Sequence, residues 1–173
     1  MSLLAWVERI ANIQEDGLTS ERIATSAELV TLSTELGVAE LSRLSCTYII
    51  RPLAGNRFAV RGQILASVTQ QCVVTLDPVT DNLEVSLDVE FWPSGQIREL
   101  SEEFDEPDRE DPEPIENDEL DIGRVVFELV SANINPYPRA KDAELDRHSS
   151  EVTTAEQEHP FAALAQLKDR QGN

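Results

Sequence analysis

Apolar and polar residues alternate along three stretches of the first hundred residues, and this alternation predicts β-strands. The stretches are residues 40–51, 57–71 and 83–91. Because successive side chains of a strand point to opposite faces, a period of two is typical of a strand that buries one face. The turn-forming residues 52–56, PLAGN, separate the first two stretches and predict a long hairpin. Gly62 marks a bend or bulge in its second strand.

Residues 26–36 show a helical pattern instead, with leucines recurring on one side. Thr25 is suited to cap this helix, and Glu28 stands three positions later, as in a capping box. Gly37 supplies the left-handed residue that commonly ends a helix. The sequence therefore predicts a helix with defined signals at both ends.

A second helix is predicted within residues 118–137, with Asn117 or Asp118 as its cap and the sequence NPYPR as its end. Its apolar side chains recur at helical spacing, so it is expected to cover the core. Residues 3–13 fit a helix or a strand by pattern alone.

These elements predict an α+β fold: an antiparallel, strongly bent sheet or partial barrel with one capped helix and a C-terminal covering helix. Residues 1–98 are expected to form the β-rich core, and residues 99–117 an acidic, disordered loop. The covering helix at 118–137 belongs to the same domain. Residues 138–173 are expected to be a flexible tail with a short amphipathic helix at 160–168, which packs either on its own domain or on a partner.

Charge is concentrated in one part of the chain. The formal net charge is −19, and residues 99–121 hold thirteen acids, one base and three prolines. Such a segment cannot form an apolar face, so it is either a solvated linker or a binding segment for a basic partner. The candidate residues for contact with a basic partner are Glu102, Glu103, Asp105, Glu106, Asp108, Glu110 and Asp111.

The stretch CVVTLDPV, residues 72–79, raises the question of a chemical site. Cys72 continues the parity of the preceding strand, together with Val74 and Leu76, so we expect a structural role: a buried strand residue before a turn at Asp77 and Pro78. No second cysteine follows at CxxC spacing to complete a metal site.

Catalytic signatures are missing from the sequence. Both histidines, His148 and His159, lie in the expected tail, where neither is positioned to act as a base or a metal ligand. No glycine-rich phosphate-binding motif occurs. We therefore expect a non-enzyme with no metal, cofactor or small-molecule substrate.

The amino-terminal residues show no basic leader followed by an apolar core, and no stretch approaches the roughly 18 apolar residues of a membrane span. The sequence therefore leads us to expect a cytoplasmic protein without a membrane contact.

Four arginines of the predicted hairpin share one parity: Arg43, Arg51, Arg57 and Arg61. Their odd numbers place them on the solvent face, with Arg51 and Arg57 almost opposite each other. Two interpretations stay open. The arginines contact RNA or other phosphates through their planar guanidinium groups, or they pair across strands with the outward acids Glu84, Asp88 and Glu90.

Several longer stretches resemble one protein family. They are GLTSERIATSAELVTLSTELGVAELSRLSCTYIIRP, VTQQCVVTLDPV, VEFWP, ELDIGRVVFELVSANINPYPRA and HPFAALAQLK. In order and spacing they resemble the YceD family, the large ribosomal RNA subunit accumulation proteins. The resemblance implies a non-enzymatic protein of bacteria and plastids that helps large-subunit ribosomal RNA accumulate, and it favours a strand near the amino terminus.

One departure from the family pattern is informative. Many YceD proteins carry a CxxC pair at the position of Cys72, whereas this chain has Thr75 at the second position. A metal role is therefore not carried over.

Together these observations lead us to expect a ribosome-assembly factor that contacts large-subunit RNA, a basic large-subunit ribosomal protein, or both. The alternative is an acidic adapter or chaperone that binds only protein.

Overall fold

A computed structural model describes residues 3–97 and 111–143. Its elements in chain order are β1 (Val7–Arg9), a 3₁₀ turn (Ile10–Asn12), β2 (Leu18–Ile23), α1 (Ser26–Leu36), β3 (Glu40–Leu53), β4 (Arg57–Gln71), β5 (Pro78–Pro93), β6 (Glu113–Ile115), β7 (Glu119–Asp121) and α2 (Ile122–Asn133). The amino-terminal ambiguity is resolved in favour of a short strand followed by a 3₁₀ turn.

The main sheet has five strands in the order β2-β3-β4-β5-β6, and a separate two-stranded sheet pairs β1 with β7. All neighbours in the main sheet are antiparallel except β5 and β6, which run parallel. The predicted α+β class with a mostly antiparallel sheet is confirmed. The described strands do not close into a barrel, and a strong bend of the sheet stays a prediction.

The predicted hairpin is present as the long pair β3 and β4. Its register runs from Arg43 opposite Ser67 to Leu53 opposite Arg57 without interruption, so Gly62 does not shift it. A shift occurs instead near the start of β3, between Leu41 and Arg43. Side chains therefore keep one parity from residue 43 to the end of the hairpin.

The inner face of the sheet carries the core. Even-numbered side chains of β3 and β4 and odd-numbered ones of β5 are buried there, among them Tyr48, Ile64 and Leu87. Leu32 of α1 and Val126 of α2 belong to the same buried cluster. Burial of this apolar surface is the main stabilising contribution to the fold.

Helix α1 has the predicted ends. The Thr25 hydroxyl accepts from the Glu28 backbone N–H, while the Glu28 carboxylate accepts from the Thr25 backbone N–H at 2.8 Å. These backbone and side-chain hydrogen bonds from Thr25 also lower the pKa of Glu28. Gly37 closes the helix in the left-handed conformation, at φ 66°.

Helix α2 begins later than its sequence pattern predicted, and the predicted cap is wrong. The N-cap is Asp121, whose carboxylate accepts from the Arg124 backbone N–H at 3.0 Å. Asn117 and Asp118 instead adopt positive φ in the turn between β6 and β7. The three residues before the helix pair with β1, and this pairing outweighs their helical pattern.

The predicted disordered segment also ends earlier than expected. Its last residues form β6, which pairs with Phe91–Pro93 of β5, and Arg124 of α2 forms an ion pair with Glu113 of β6. Asp111 is exposed just before β6. The acidic candidates from Glu102 to Glu110 and the predicted helix at 160–168 lie outside the described residues.

Candidate nucleic-acid interface

The solvent side of the main sheet, called here the outer face, is formed by odd-numbered side chains of β3 and β4 and even-numbered ones of β5. The strand register arranges them in rows across the sheet. One row holds Ile49, Arg61 and Asp88. Neighbouring rows lie about 7 Å apart, because a strand rises roughly 3.3–3.4 Å per residue. Among the described residues most side chains of this face are exposed, whereas Ser45 and Trp92 are buried, at 8% and 3% exposure.

All four candidate arginines lie on the outer face, as the parity predicted. Arg43 and Arg51 come from β3, and Arg57 and Arg61 come from β4. One detail is wrong: Arg51 stands opposite Ala59, and Arg57 opposite Leu53. Arg51 and Arg57 are therefore diagonal neighbours in adjacent rows, which weakens the repulsion expected of a directly opposed like-charge pair.

The arginines differ in what holds them. Arg61 pairs with Asp88 across β4 and β5, with an Nε–Oδ1 distance of 3.1 Å, and both side chains are well exposed. An exposed pair of this kind contributes only about 0–1 kcal/mol. Within the described residues, neither Arg43 nor Arg51 makes an ion pair. Of the four arginines, only Arg61 therefore forms the predicted ion pair across strands within the described residues.

Arg57 is held by an aromatic ring instead of a carboxylate. Its guanidinium carbon lies 3.6 Å from the ring centroid of Trp92, a cation–π contact. Its Nε donates to Gln96 Oε1 at 2.6 Å, and Gln96 Nε2 donates to the Gly55 carbonyl at 2.8 Å. The indole N–H of Trp92 donates to Glu90 at 2.7 Å.

The analysis of the sequence did not single out Trp92 and Gln96. The alternation of β5 contained a usable signal, because an even-numbered Trp92 belongs to the outer face by the parity of Leu83–Phe91. Phe58 and Tyr48 do face inward, as predicted. Gln96 follows the end of β5, where alternation gives no information on direction.

Charge on the outer face is divided between strands. β3 and β4 carry the four arginines, while β5 carries Glu84, Asp88 and Glu90. Exposed apolar side chains lie among the arginines on β3 and β4, namely Ile49 at 42%, Leu53 at 40% and Leu65 at 36%. The outer face therefore has a basic, partly apolar side and an acidic side.

A second polar cluster lies on the inner side, where it joins the two sheets. Glu8 of β1 accepts from Tyr48 at 2.6 Å and from Arg22 at 2.7 Å. Burial raises the pKa of Tyr48 to about 12, and the hydrogen bond with Glu8 adds to the effect. This cluster satisfies its own polar groups, so its role is structural.

Cys72 is buried as predicted, but its position on a strand is wrong. β4 ends at Gln71, and residues 72–77 form the loop to β5, with the Cys72 N–H donating to the Asp77 carbonyl. Leu76 has positive φ and is 70% exposed. Pro78 begins β5, opposite Gln71. The alternation of Cys72, Val74 and Leu76 is therefore a coincidence within a loop.

Hydrogen bonds converge on the Cys72 sulfur. Backbone N–H groups of Val74, Thr75 and Ala140 each point to Sγ at 3.4 Å. The Thr75 hydroxyl, with these backbone donors, lowers the pKa of Cys72 to about 6, against burial, which raises it. Cys46, in contrast, is buried in the core, and burial raises its pKa to about 12.

No group of three or more His, Cys, Asp or Glu side chains is arranged to hold a metal ion within residues 3–97 and 111–143. The same part of the chain contains no helix of the length and hydropathy needed to cross a membrane.

A family model described as "Large ribosomal RNA subunit accumulation protein YceD" matches residues 60–168, more than half of the chain. The chain belongs to the YceD family. The family's name ties YceD proteins to the accumulation of large ribosomal subunit RNA. No curated protein and no solved structure matches the chain. Within the region that matches the YceD model lie β5, β6, β7, α2 and, of the four arginines, Arg61.

Proposed function

We propose that this YceD-family protein acts as a non-enzymatic, cytoplasmic ribosome-assembly factor and supports accumulation of large-subunit ribosomal RNA by binding RNA on its outer face. The observation that carries the proposal is the placement of Arg43, Arg51, Arg57 and Arg61 on one open side of the sheet. Arginine binds phosphate through a planar, two-pronged set of donors, and phosphate contacts supply most of the affinity for nucleic acid.

The separation of charge supports a defined orientation of the RNA. A polyanion gains contacts over β3 and β4 and meets repulsion over β5, which places three carboxylates on the outer face. The Arg61–Asp88 pair does not oppose binding strongly, because an exposed ion pair contributes about 0–1 kcal/mol. A phosphate replaces such a carboxylate partner at little cost.

The acidic segment supports a second contact, with a basic large-subunit ribosomal protein. Residues 102–111 hold seven acids against one base, and such a segment attracts lysine- and arginine-rich chains. If this contact acts alone, the protein is an adapter or chaperone without RNA contact. The observation that favours this second function is the net charge of −19.

Gradient sedimentation of cell extracts tests the proposed function in the source organism. Replacing Arg43, Arg51, Arg57 and Arg61 by alanine is expected to reduce mature large subunits and their RNA, and deletion of the gene is expected to do the same. Arg9→Ala is the matched control, since Arg9 is also an exposed, ion-paired arginine but lies on β1. Normal large-subunit levels in both the deletion and the fourfold variant contradict the proposed function.

Replacement of the seven acids from Glu102 to Asp111 by their amides distinguishes the adapter. If large-subunit levels fall in this variant and stay normal in the arginine variant, the adapter function replaces RNA binding.

A further inference from the structure

We propose that the guanidinium of Arg57, supported from beneath by the buried ring of Trp92, forms a stacking site for one unpaired nucleobase of RNA. The inference deepens the proposed RNA-binding function and depends on it. It adds to phosphate attraction a contact that distinguishes single-stranded from paired RNA.

The first support is the rigidity of the arginine. Trp92 fixes the guanidinium from one side at 3.6 Å, and the hydrogen bond to Gln96 fixes its rotation. Gln96 is itself held by the Gly55 carbonyl at the end of the hairpin. An arginine that is already ordered loses little side-chain entropy when it binds.

The second support is the set of hydrogen-bond donors on Arg57 that this arrangement leaves available. A guanidinium has five N–H donors, and the contact with Gln96 uses the one at Nε. Among the described residues, no acceptor is bonded to the Nη groups of Arg57. These donors lie in the plane of the guanidinium, so they suit a phosphate or a base adjacent to the stacked one.

The third support is the surrounding surface. Leu53 stands directly opposite Arg57 in the register and is 40% exposed, so it offers apolar contact beside the guanidinium. Arg51 lies in the next row and Arg61 in the one after. A base stacked at Arg57 thus has candidate phosphate contacts about 7–14 Å away along the strands.

This combination favours single-stranded RNA. Stacking on an arginine plane needs the face of a base, and only unpaired bases in loops, bulges and ends present it. A duplex keeps its base faces covered and offers phosphates alone. The site therefore predicts a preference that general charge attraction does not produce.

Binding of fluorescently labelled RNA to the full chain tests the site. The probes are a single-stranded oligonucleotide of about twelve nucleotides, a duplex of the same length and a single strand with abasic positions. Arg57→Lys keeps the charge and removes the planar group, so we expect it to weaken single-strand binding about tenfold and duplex binding less than twofold. Arg43→Lys is the matched control and is expected to change both by less than about twofold.

Thermal unfolding verifies that Arg57→Lys folds. If it does not, the abasic strand decides the question without any change in the protein. We expect wild-type protein to bind the abasic strand about tenfold more weakly than the intact strand. Equal affinity for the two strands, or equal effects of the two lysine variants, overturns the stacking site while leaving phosphate binding intact. Failure of wild-type protein to bind any of the probes overturns both the stacking site and the proposed function.

Discussion

Gly62 occupies a position on β4 that leaves no room for a side chain. A Cβ at this position would fall 2.8 Å from both Cα and Cβ of Tyr48 on β3. The glycine therefore allows β3 and β4 to remain paired where Tyr48 turns into the core. From the sequence this residue suggested a bulge, but its role is to admit a close approach of two backbones.

Gly62→Ala is expected to lower the free energy of unfolding by about 1–3 kcal/mol, because the strands must separate to accept the methyl group. Gly95→Ala is the control, since a Cβ at Gly95 meets nothing within 4 Å. Urea unfolding of the two variants measures the difference. Equal stabilities would contradict the close approach of β3 and β4 at this point.

Cys72 predicts a pH dependence with a defined sign. Its pKa is lowered from 9.0 to about 6 in the folded protein, so folding favours the thiolate. The resulting stabilisation is complete above pH 9 and is lost as pH falls through about 6. We expect the stability difference between wild type and Cys72→Ala to grow from pH 6 to pH 9 in urea unfolding.

Cys46→Ala provides the control for this pH dependence. Burial raises the pKa of Cys46 to about 12, so neither its folded nor its unfolded thiol ionises appreciably between about pH 6 and pH 8. Its effect on stability is expected to stay constant over that interval. A parallel response of the two variants would show that Cys72 is not held as a thiolate.

At the scale of elements, one carboxylate connects the small sheet to the main sheet. Glu8 lies on β1, while its two donors, Arg22 and Tyr48, lie on β2 and β3. Only 7% of Glu8 is exposed, so water does not replace these hydrogen bonds easily. The position of the β1–β7 pair, and with it the start of α2, therefore depends on this cluster.

Glu8→Gln keeps the shape of the side chain but removes its charge. We expect a loss of about 1–3 kcal/mol in the free energy of unfolding, because a buried charge-assisted pair is broken. Glu119→Gln alters the exposed partner of Arg9 on β7 and is expected to cost less than about 1 kcal/mol. Indistinguishable urea-unfolding curves for the two variants would contradict a connecting role for Glu8.

The elements that sequence predicted well are those whose signals are local. The hairpin register follows from alternation, and the ends of α1 follow from Thr25, Glu28 and Gly37. Helix α2 started later than predicted because its preceding residues pair with β1, about 110 positions earlier in the chain. β6 was missed because a three-residue parallel strand containing Pro114 has no periodicity to detect.

The features of the candidate site likewise divide into those that local sequence signals predict and those that depend on distant contacts. Parity placed the four arginines on one face, which needs only the strand period. The contacts of Arg57 with Trp92 and Gln96 join β4 to the end of β5 and beyond, and no spacing in the sequence encodes them. The loop position of Cys72 was missed because its apolar neighbours imitate the alternation of a strand.

At the scale of the whole molecule, RNA binding by so acidic a protein requires that its charge be unevenly distributed. The net charge is −19, yet β3 and β4 place four arginines on one open face of the sheet. Attraction acts over a Debye length of about 8 Å at physiological salt. If the outer face binds RNA as proposed, local charge governs that contact more strongly than net charge does.

Filter binding of the full chain to large-subunit ribosomal RNA over a series of salt concentrations tests this central claim most directly. Affinity is expected to fall as salt rises. In a plot of the logarithm of affinity against the logarithm of salt concentration, the slope should become less steep by about 0.7 for each outer-face arginine replaced by alanine. Arg9→Ala should leave the slope unchanged. An absence of RNA binding at every salt concentration, or an equal slope in wild type and the fourfold arginine variant, would contradict the account.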